Sequence, residues 1–515
     1  MSWYEGSYPI GEAPRKALVR QNGAIVLDTF GGRIHVEWDP AAAVTPLGHL
    51  PFFSEFRKVS GLFEAWVADC PLAYHSNHAS DKRAVLATLL LSILAGHHRY
   101  AHSTAIRHDG IHPELLGVAQ LVSEDAAQRA LARIEESSGV AWLDRHLAAT
   151  TQPLLATPWI LDLDATVKCL YGKQEGAGVG YNPKKPGRPS HSYHSTLMAN
   201  TRLALAVDVL PGNQTAPLHS MPGIWAWLDA LPKEARPALL RGDVAYGSEA
   251  VLREAEARDQ PYLTKLRLTK NVKALIKTLF RSHEWEEAGQ GGEGVTDRLM
   301  LSGWSRTRRV IVLRRILTGE MLMTGKDDDQ ERFDFMESDV PTKRYEYAVL
   351  VTSTEHEILT LAQLYRDRAD AENNFDELKN QWGWGGFTTQ DLARCRLMAR
   401  MVALVYNWWT LFVRLALPHK HFEAISSRPL LLHGVATQTQ HAGQTHLTIT
   451  SLHAKPSAIQ AVLTSLAGFL RTLKATAEQW TDAQRLRAIL ARAFAKFMLP
   501  TVSPPALPTP ETSAT

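Results

Sequence analysis

The sequence predicts a multidomain α/β protein: a mixed sheet carrying a β-rich insertion, flanked by helical N- and C-terminal regions. Three observations carry this. From 155 to 280, three strand-length segments precede an alternation of helix and strand patterns, the mark of α/β architecture. Helical periodicity fills 51–150 and returns after residue 386. The 515 residues also exceed one ordinary core.

In chain order, residues 16–38 alternate around Gly31-Gly32 and predict a β-hairpin within an N-terminal arm, 1–50. The region 51–150 reads helical. Asp81 to Leu94 is a strongly apolar helix. A helix near 113–120 is followed by a short turn and a helix capped by Ser123. With Gln128, Arg129 and Arg133 on it, this is either a DNA-binding helix-turn-helix or an ordinary helical hairpin. Trp159 to Asp164 is strand-like and leads into a glycine-rich, basic loop, Gly172 to Arg188. Strands fit 193–199 and 202–210, and a helix fits 222–231. Ala238-Leu239-Leu240-Arg241 runs as a strand into Gly242-Asp243. Ser248 caps another helix, and Tyr262 to Leu266 is a further strand. Three strands, then helix and strand in alternation, is the order of an RNase H-like mixed sheet. Residues 283–343 interrupt it as a β-rich insertion, whose acidic run Asp327-Asp328-Asp329 reads as a solvated loop. Strand Tyr345 to Thr352 resumes a core spanning 151–385. Helices are expected over 386–498, and the proline-rich 499–515 as a disordered tail.

Composition narrows the class. Hydrophobic residues are 45% and charged residues 21%, with a net charge of +3. Partners must therefore be read from where charge sits. The 3 cysteines, Cys70, Cys169 and Cys395, lie far apart. That fits a reducing cytoplasm and argues against a disulfide framework or a cysteine zinc site. His97-His98 and His191/His194 lack a second pair at zinc spacing. No basic-then-apolar leader opens the chain. The uncharged stretch Met401 to Val413 is shorter than the ~20 residues of a membrane helix. A cytoplasmic protein without membrane partners is expected.

The chemistry-bearing residues fall into one pattern. Tyr365, Arg368, Glu372 and Lys379 lie within about a 60° arc of a single helix, beside an apolar stripe of Leu364, Ala371, Phe375 and Leu378. Asp164 lies on the first strand of the sheet, and Asp243 ends a later one. An RNase H-like sheet brings together carboxylates from these two strands and the final helix. Three carboxylates at one place need hard cations between them, and oxygen-only donors suit Mg²⁺ or Mn²⁺. Two such ions serve phosphodiester chemistry. Three basic clusters flank these acids: Lys184, Lys185 and Arg188; Lys265, Arg267, Lys270, Lys273, Lys277 and Arg281; and Arg306, Arg308, Arg309, Arg314 and Arg315. Together they predict DNA-phosphate binding with salt-dependent affinity.

On these residues the chain resembles the DDE transposases of bacterial insertion sequences, in the branch with a Tyr-x2-Arg-x3-Glu-x6-Lys signature. Asp164-Ala165-Thr166 matches that family's Asp-x-Thr context, and Asp243-Val244-Ala245-Tyr246 its second Asp. The insertion at 283–343 matches its β-rich insertion. The resemblance covers 155–385 and extends loosely to Asp81–Glu136. It implies a transposase that binds the inverted-repeat ends of its element. Such an enzyme cleaves them by metal-dependent hydrolysis and joins the 3′-hydroxyls to target DNA by transesterification, as a homodimer on DNA in the nucleoid. It further implies that Arg368 and Lys379 hold phosphates and that Tyr365 contacts the strand end. An aromatic of the insertion, Trp304 or Trp285, would hold a flipped base; a Trp packing a small β core is the alternative reading. Asp162 shares a strand face with Asp164, and the Thr context favours Asp164 as the first metal ligand. A nuclease that cuts without joining and a non-catalytic, transposase-derived DNA-binding protein are the competing functions.

Overall fold

A computed structural model of the chain describes residues 25–39, 41–74, 79–182, 185–280, 284–317, 345–450, 455–476 and 478–495. Lys184, Arg281, the run Asp327-Asp328-Asp329 and the proline-rich tail lie outside the described residues. Residues up to Ala43 form one unit and those from Val44 another. In the first, β1 (Ile25–Thr29) and β2 (Gly32–Val36) pair antiparallel with Thr29 opposite Gly32. This is the expected hairpin, turning at Phe30-Gly31.

In the second unit, β3 (Val44–Thr45) leads to α1 (Leu50–Ser60), which buries Leu50, Phe53 and Phe56. Helix α2 (Lys82–Leu94) is buried from Ala84 to Leu94, the pattern of an interior helix. The helix expected near 113–120 is shorter, His112–Leu116, because Gly117 ends it at φ 68°. Helix α3 (Glu124–Ala132) follows, with Ser123 Oγ accepting from Ala126 N at 3.2 Å. In α4 (Glu136–Thr151), Trp142 stacks on Trp66 at 5.5 Å and donates to its carbonyl at 3.0 Å.

The strands β4 (Ile160–Cys169), β5 (Ser190–Met198), β6 (Leu203–Pro211), β7 (Leu239–Gly242) and β8 (Tyr262–Lys265) are joined by β9 (Glu286–Gly289), β10 (Gly292–Leu299), β11 (Arg308–Ile316) and β12 (Tyr345–Thr352). They form one 9-stranded sheet in the order β6-β5-β4-β7-β8-β12-β11-β10-β9. β4, β5 and β6 are antiparallel neighbours, whereas β7 runs parallel to both β4 and β8. This is RNase H-like topology. The insertion differs from expectation in one respect: its described strands extend the main sheet. β11 pairs along its length with β12, and β12 pairs with β8, so the open edge of β8 is satisfied within the chain.

Helices cover the sheet. α5 (Met221–Ala230) joins the main core through Met221, Trp225 and Leu228. α6 (Ile358–Arg366) packs over Leu239, Leu263, Ala288, Ile311 and Leu350. α7 (Ala369–Asn380) joins the main core through Ala371, Phe375 and Leu378. α8 (Leu392–Ala416) is buried along nearly all its length against α4 and β6. Its Asn407 side chain bonds both the N–H and the carbonyl of Ala204, at 2.9 and 2.7 Å, near the register shift between β5 and β6. Among the described residues no helix is long and apolar enough to cross a membrane.

Within the mainly helical region expected over 386–498 lies a hairpin. β13 (Ala436–His441) and β14 (Gln444–Ile449) turn through Ala442-Gly443, at φ 48° and 74°, and β13 also pairs with β3. α9 (Pro456–Ala475) and α10 (Asp482–Ala493) complete the described chain.

A cavity of about 440 Å³ lies between β5, β6 and the helices α4 and α5, lined by Asp144, His194, Asp208 and Arg400 among others. His194 Nε2 lies 2.9 Å from Ser192 Oγ. Burial pushes its pKa down to about 4, against the pull of Asp208. An imidazole neutral in the fold but free to protonate when unfolded favours unfolding as pH falls from 6.5 through 4. The contribution is on the order of 3 kcal/mol. In denaturant titrations at pH 7 and pH 4, the wild type should lose about that much more stability than His194→Gln.

Candidate active site

The register of the sheet builds the site. β4 and β7 are parallel neighbours with Leu163 opposite Gly242. One step further on, Asp164 and Asp243 stand side by side where β7 ends. Asp243 is the cap of the next turn, its Oδ1 accepting from Ala245 N at 2.9 Å. Glu372 comes from the first turn of α7. Arg368 links the groups: Nη2 lies 2.9 Å from Asp164 Oδ2, and Nη1 donates to Glu372 Oε1 at 2.9 Å. The guanidinium is buried, and the Glu372 carboxylate is 63% exposed.

Electrostatics express the crowding. Burial pushes the Asp164 carboxyl up to about 6; Arg368 opposes this, while Asp243 and Glu372 add to it. Asp243 is raised for the same first reason, burial, again against Arg368. Burial works against the Arg368 charge, yet Asp164, Tyr365, Asp243 and Glu372 together hold its pKa above the ordinary guanidinium range. Burial keeps the Tyr365 phenol protonated well past its usual range.

The single helix expected through Tyr365, Arg368, Glu372 and Lys379 is two helices, α6 and α7. At the junction Arg368 N bonds Tyr365 O and Ala371 N bonds Arg368 O, at 3.1 and 2.9 Å. These three-residue steps tighten the turn. The cause is packing: Leu364 and Tyr365 sit against the cluster over Leu239 and Leu350, whereas Ala371, Phe375 and Leu378 join the main core. Tyr365, Arg368 and Glu372 stay together. Lys379 is tied instead to β4, donating to Val167 O at 2.8 Å and lying 3.4 Å from Thr166 Oγ1. Beyond α7, Trp382 donates to Glu377 Oε1 at 3.1 Å and Trp384 to Ala399 O at 3.0 Å, anchoring the helix end.

Asp162 has a different employment. Arg241, directly opposite it on β7, grips it with two bonds of 2.6 Å and also donates to the Leu364 carbonyl. Both side chains are buried. Sequence reasoning missed Arg241; a charge inside an otherwise apolar central strand was the available signal. It also missed Lys168, whose ammonium donates to Gly386 O and to Tyr193 Oη, and whose pKa burial pushes down to about 8.

The basic clusters divide. Arg267, Lys270 and Lys277 are exposed, Lys265 is half-buried near Asp243, and Lys185 and Arg188 lie on the loop after β4. The arginines of the insertion serve the protein's own acids. Arg308 is buried and bonds Glu249 and Glu256 at 2.5 and 2.6 Å. Arg306 lies 3.4 Å from Glu256, and Arg309 donates to Thr354 O at 2.7 Å. Arg314 and Arg315 pair with Glu293 and Glu346, each at 2.6 Å. Trp304 is buried with the Arg308 guanidinium 4.8 Å from its ring centroid, and Trp285 lies 3.7 Å from that of Arg314. Arg308, Arg309 and Trp304, expected to face DNA, are thus engaged inside the fold.

Among the described residues no three His, Cys, Asp or Glu side chains converge closely enough to hold a metal ion. The Arg368 guanidinium stands where the charge of Asp164 and Glu372 calls for cations. The donor set itself, carboxylate oxygens alone, fits Mg²⁺ or Mn²⁺.

The sheet order and the grouped carboxylates define an RNase H-like domain bearing an acidic site. Residues 155–408 match the family model of the transposase DDE domain, so the chain carries a DDE transposase domain. Among solved structures, the chain is similar to the piggyBac transposase synaptic complex with hairpin DNA. The identity is 11%, covering 87% of this chain and 85% of that one, with a TM-score of 0.37. No protein of curated function matches the sequence.

The two neighbouring aspartates should separate on mutation. Asp162→Ala strands a buried guanidinium and should cost about 3–5 kcal/mol in chemical denaturation. Asp164→Asn leaves Arg368 its bond to Glu372 and should cost about 1 kcal/mol or less.

Proposed function

We propose that the chain is a DNA transposase of insertion-sequence type. It binds the terminal inverted repeats of its element, hydrolyses a phosphodiester at each end and joins the 3′-hydroxyls to target DNA by transesterification. One observation supports this above the others: within a transposase DDE domain, carboxylates from β4, the end of β7 and α7 gather around one arginine. Asp164, Asp243 and Glu372 would hold two Mg²⁺ or Mn²⁺ ions. Such ions, when bound, activate an attacking hydroxyl and stabilise a leaving oxygen.

The chain's own groups have separable roles. Arg368 stands as the counter-charge between Asp164 and Glu372 and presents a planar fork of the kind that suits phosphate. Tyr365 stays a hydrogen-bond donor at the same place. Lys379 holds α7 against β4 and so sets where Glu372 stands. Exposed Arg267 and Lys270, with Lys265, Lys185 and Arg188, supply contacts to the DNA backbone. Two ends must be processed together, so the active assembly is a homodimer on DNA, working in the cytoplasm on the nucleoid.

Asp164→Ala, Asp243→Ala and Glu372→Ala should each reduce end cleavage to background while leaving binding of the same DNA largely intact, read by gel and by anisotropy. Full strand transfer by Glu372→Ala would sink the site assignment. Pre-cut ends supplied with target DNA should give joined product; hydrolysis without joining would identify a nuclease instead. Arg267→Ala and Lys270→Ala should each flatten the slope of log affinity against log salt by about 1.

A further inference from the structure

The described residues of the loop between β4 and β5 are both closely tethered and unusually furnished. Its mounting is backbone-deep. Gly178 and Ser190 exchange two hydrogen bonds, at 3.3 and 2.9 Å, and Leu170 N donates to Pro189 O at 2.9 Å. A Cβ on Gly180 would overlap the carbonyl oxygen of Gly212, so only glycine lets the loop lie this close to the β6 turn. Buried Asn182 accepts from Lys185 N at 3.1 Å and donates to Cys169 Sγ at 3.2 Å. Glu175 is the one acid between Leu170 and Pro189. Its Oε2 accepts from Leu392 N at 3.1 Å, which directs that charge to the start of α8.

The outward side carries rings and cations. Tyr171 is 68% exposed and Tyr181 67%. Lys185 Nζ is 2.6 Å from Tyr171 Oη but 5.1 Å from the ring centroid, so the ammonium lies beyond the hydroxyl edge and off the ring face. The Arg188 guanidinium, 5.0 Å from the same centroid, covers one face at most. A π-face is therefore open to solvent with two cations at its border. Base faces within a duplex are covered by their neighbours, so an open ring face selects bases that have left the stack. Tyr171 lies seven positions past Asp164; at ~3.3 Å per residue that is at most ~23 Å. Tyr171 thus stands no farther from Asp164 than about seven nucleotides span along one strand at B-form rise.

We propose that this loop is a stacking platform for unpaired DNA bases, with Tyr171 and Tyr181 as its rings and Lys185 and Arg188 as its phosphate contacts. The platform rests on the reading of the chain as a transposase. It fills a place that Trp304 and Trp285, packed beneath arginines, leave open.

The test uses the full chain and two fluorescein-labelled probes, an oligothymidine of about 20 nucleotides and a random-sequence duplex of about 20 base pairs. Tyr171→Ala should weaken the oligothymidine about tenfold and the duplex less than about twofold, and Tyr171→Phe should restore the difference. Lys185→Ala should weaken both probes and flatten the salt slope by about 1. Tyr171 is exposed, so thermal melting of Tyr171→Ala should match the wild type. Equal weakening of both probes by Tyr171→Ala, or no change in either, overturns the platform. If the wild type binds both probes and Asp164→Ala abolishes end cleavage while Tyr171→Ala binds like the wild type, the platform alone falls. A wild type that binds neither DNA overturns the transposase reading along with it.

Discussion

Three carboxylates at one edge of a sheet repel one another, and Arg368 is the counter-charge that lets them stay. Its two ends reach Asp164 and Glu372 at equal distance, and Asp243 is close enough to share its field. The tight turn between α6 and α7 exists where that guanidinium must be delivered to the sheet. The helices on either side then follow their own cores, one over the β8–β10 region and one toward β4. Removing the charge would leave the acids to be neutralised by protons, which is the direction in which the Asp164 carboxyl already leans.

Around this centre stands a frame of buried and half-buried polar bonds that positions its strands. Arg241 locks β4 to β7 through Asp162 and reaches back to the α6 carbonyl at Leu364. Lys379 ties α7 to the β4 backbone, and Lys168 ties the same strand to the glycine-rich turn after Trp384. β4 therefore has its position fixed from three directions. Buried ionic groups of this kind are costly unless fully partnered, and here they coincide with the strand whose placement the acidic site most depends on.

Much of this was legible in the sequence, and for definite reasons. Strand-and-turn punctuation located β6, β7 and β12 within a residue and β5 within three, because alternation and Gly or Pro breaks are local signals. Asp164, Asp243 and Glu372 were readable because topology, not contact, orders them. What was not legible depended on partners far away in the chain. The arginines of β11 read as a DNA surface until Glu249 and Glu256 are seen beside Arg308. The helix break at Arg368 follows from two separate cores competing for one stripe. The hairpin at 436–449, by contrast, carries a local signal, the Thr and His alternation around Ala442-Gly443.

The two halves of the sheet meet at one seam, between β12 and β8. β12 meets β8 where Leu350, Val351 and Thr352 face Lys265, Thr264 and Leu263, with further bonds from Leu266 N to Val349 O and from Ser353 N to Tyr262 O. Lys265 is also one of the charges felt by Asp243. The inserted strands and the acidic site thus belong to one continuous sheet, and the β12–β8 join runs near Asp243. Lys265 sits in that join opposite Leu350, so the same strand residue that seats the insertion also sets part of the charge that Asp243 meets.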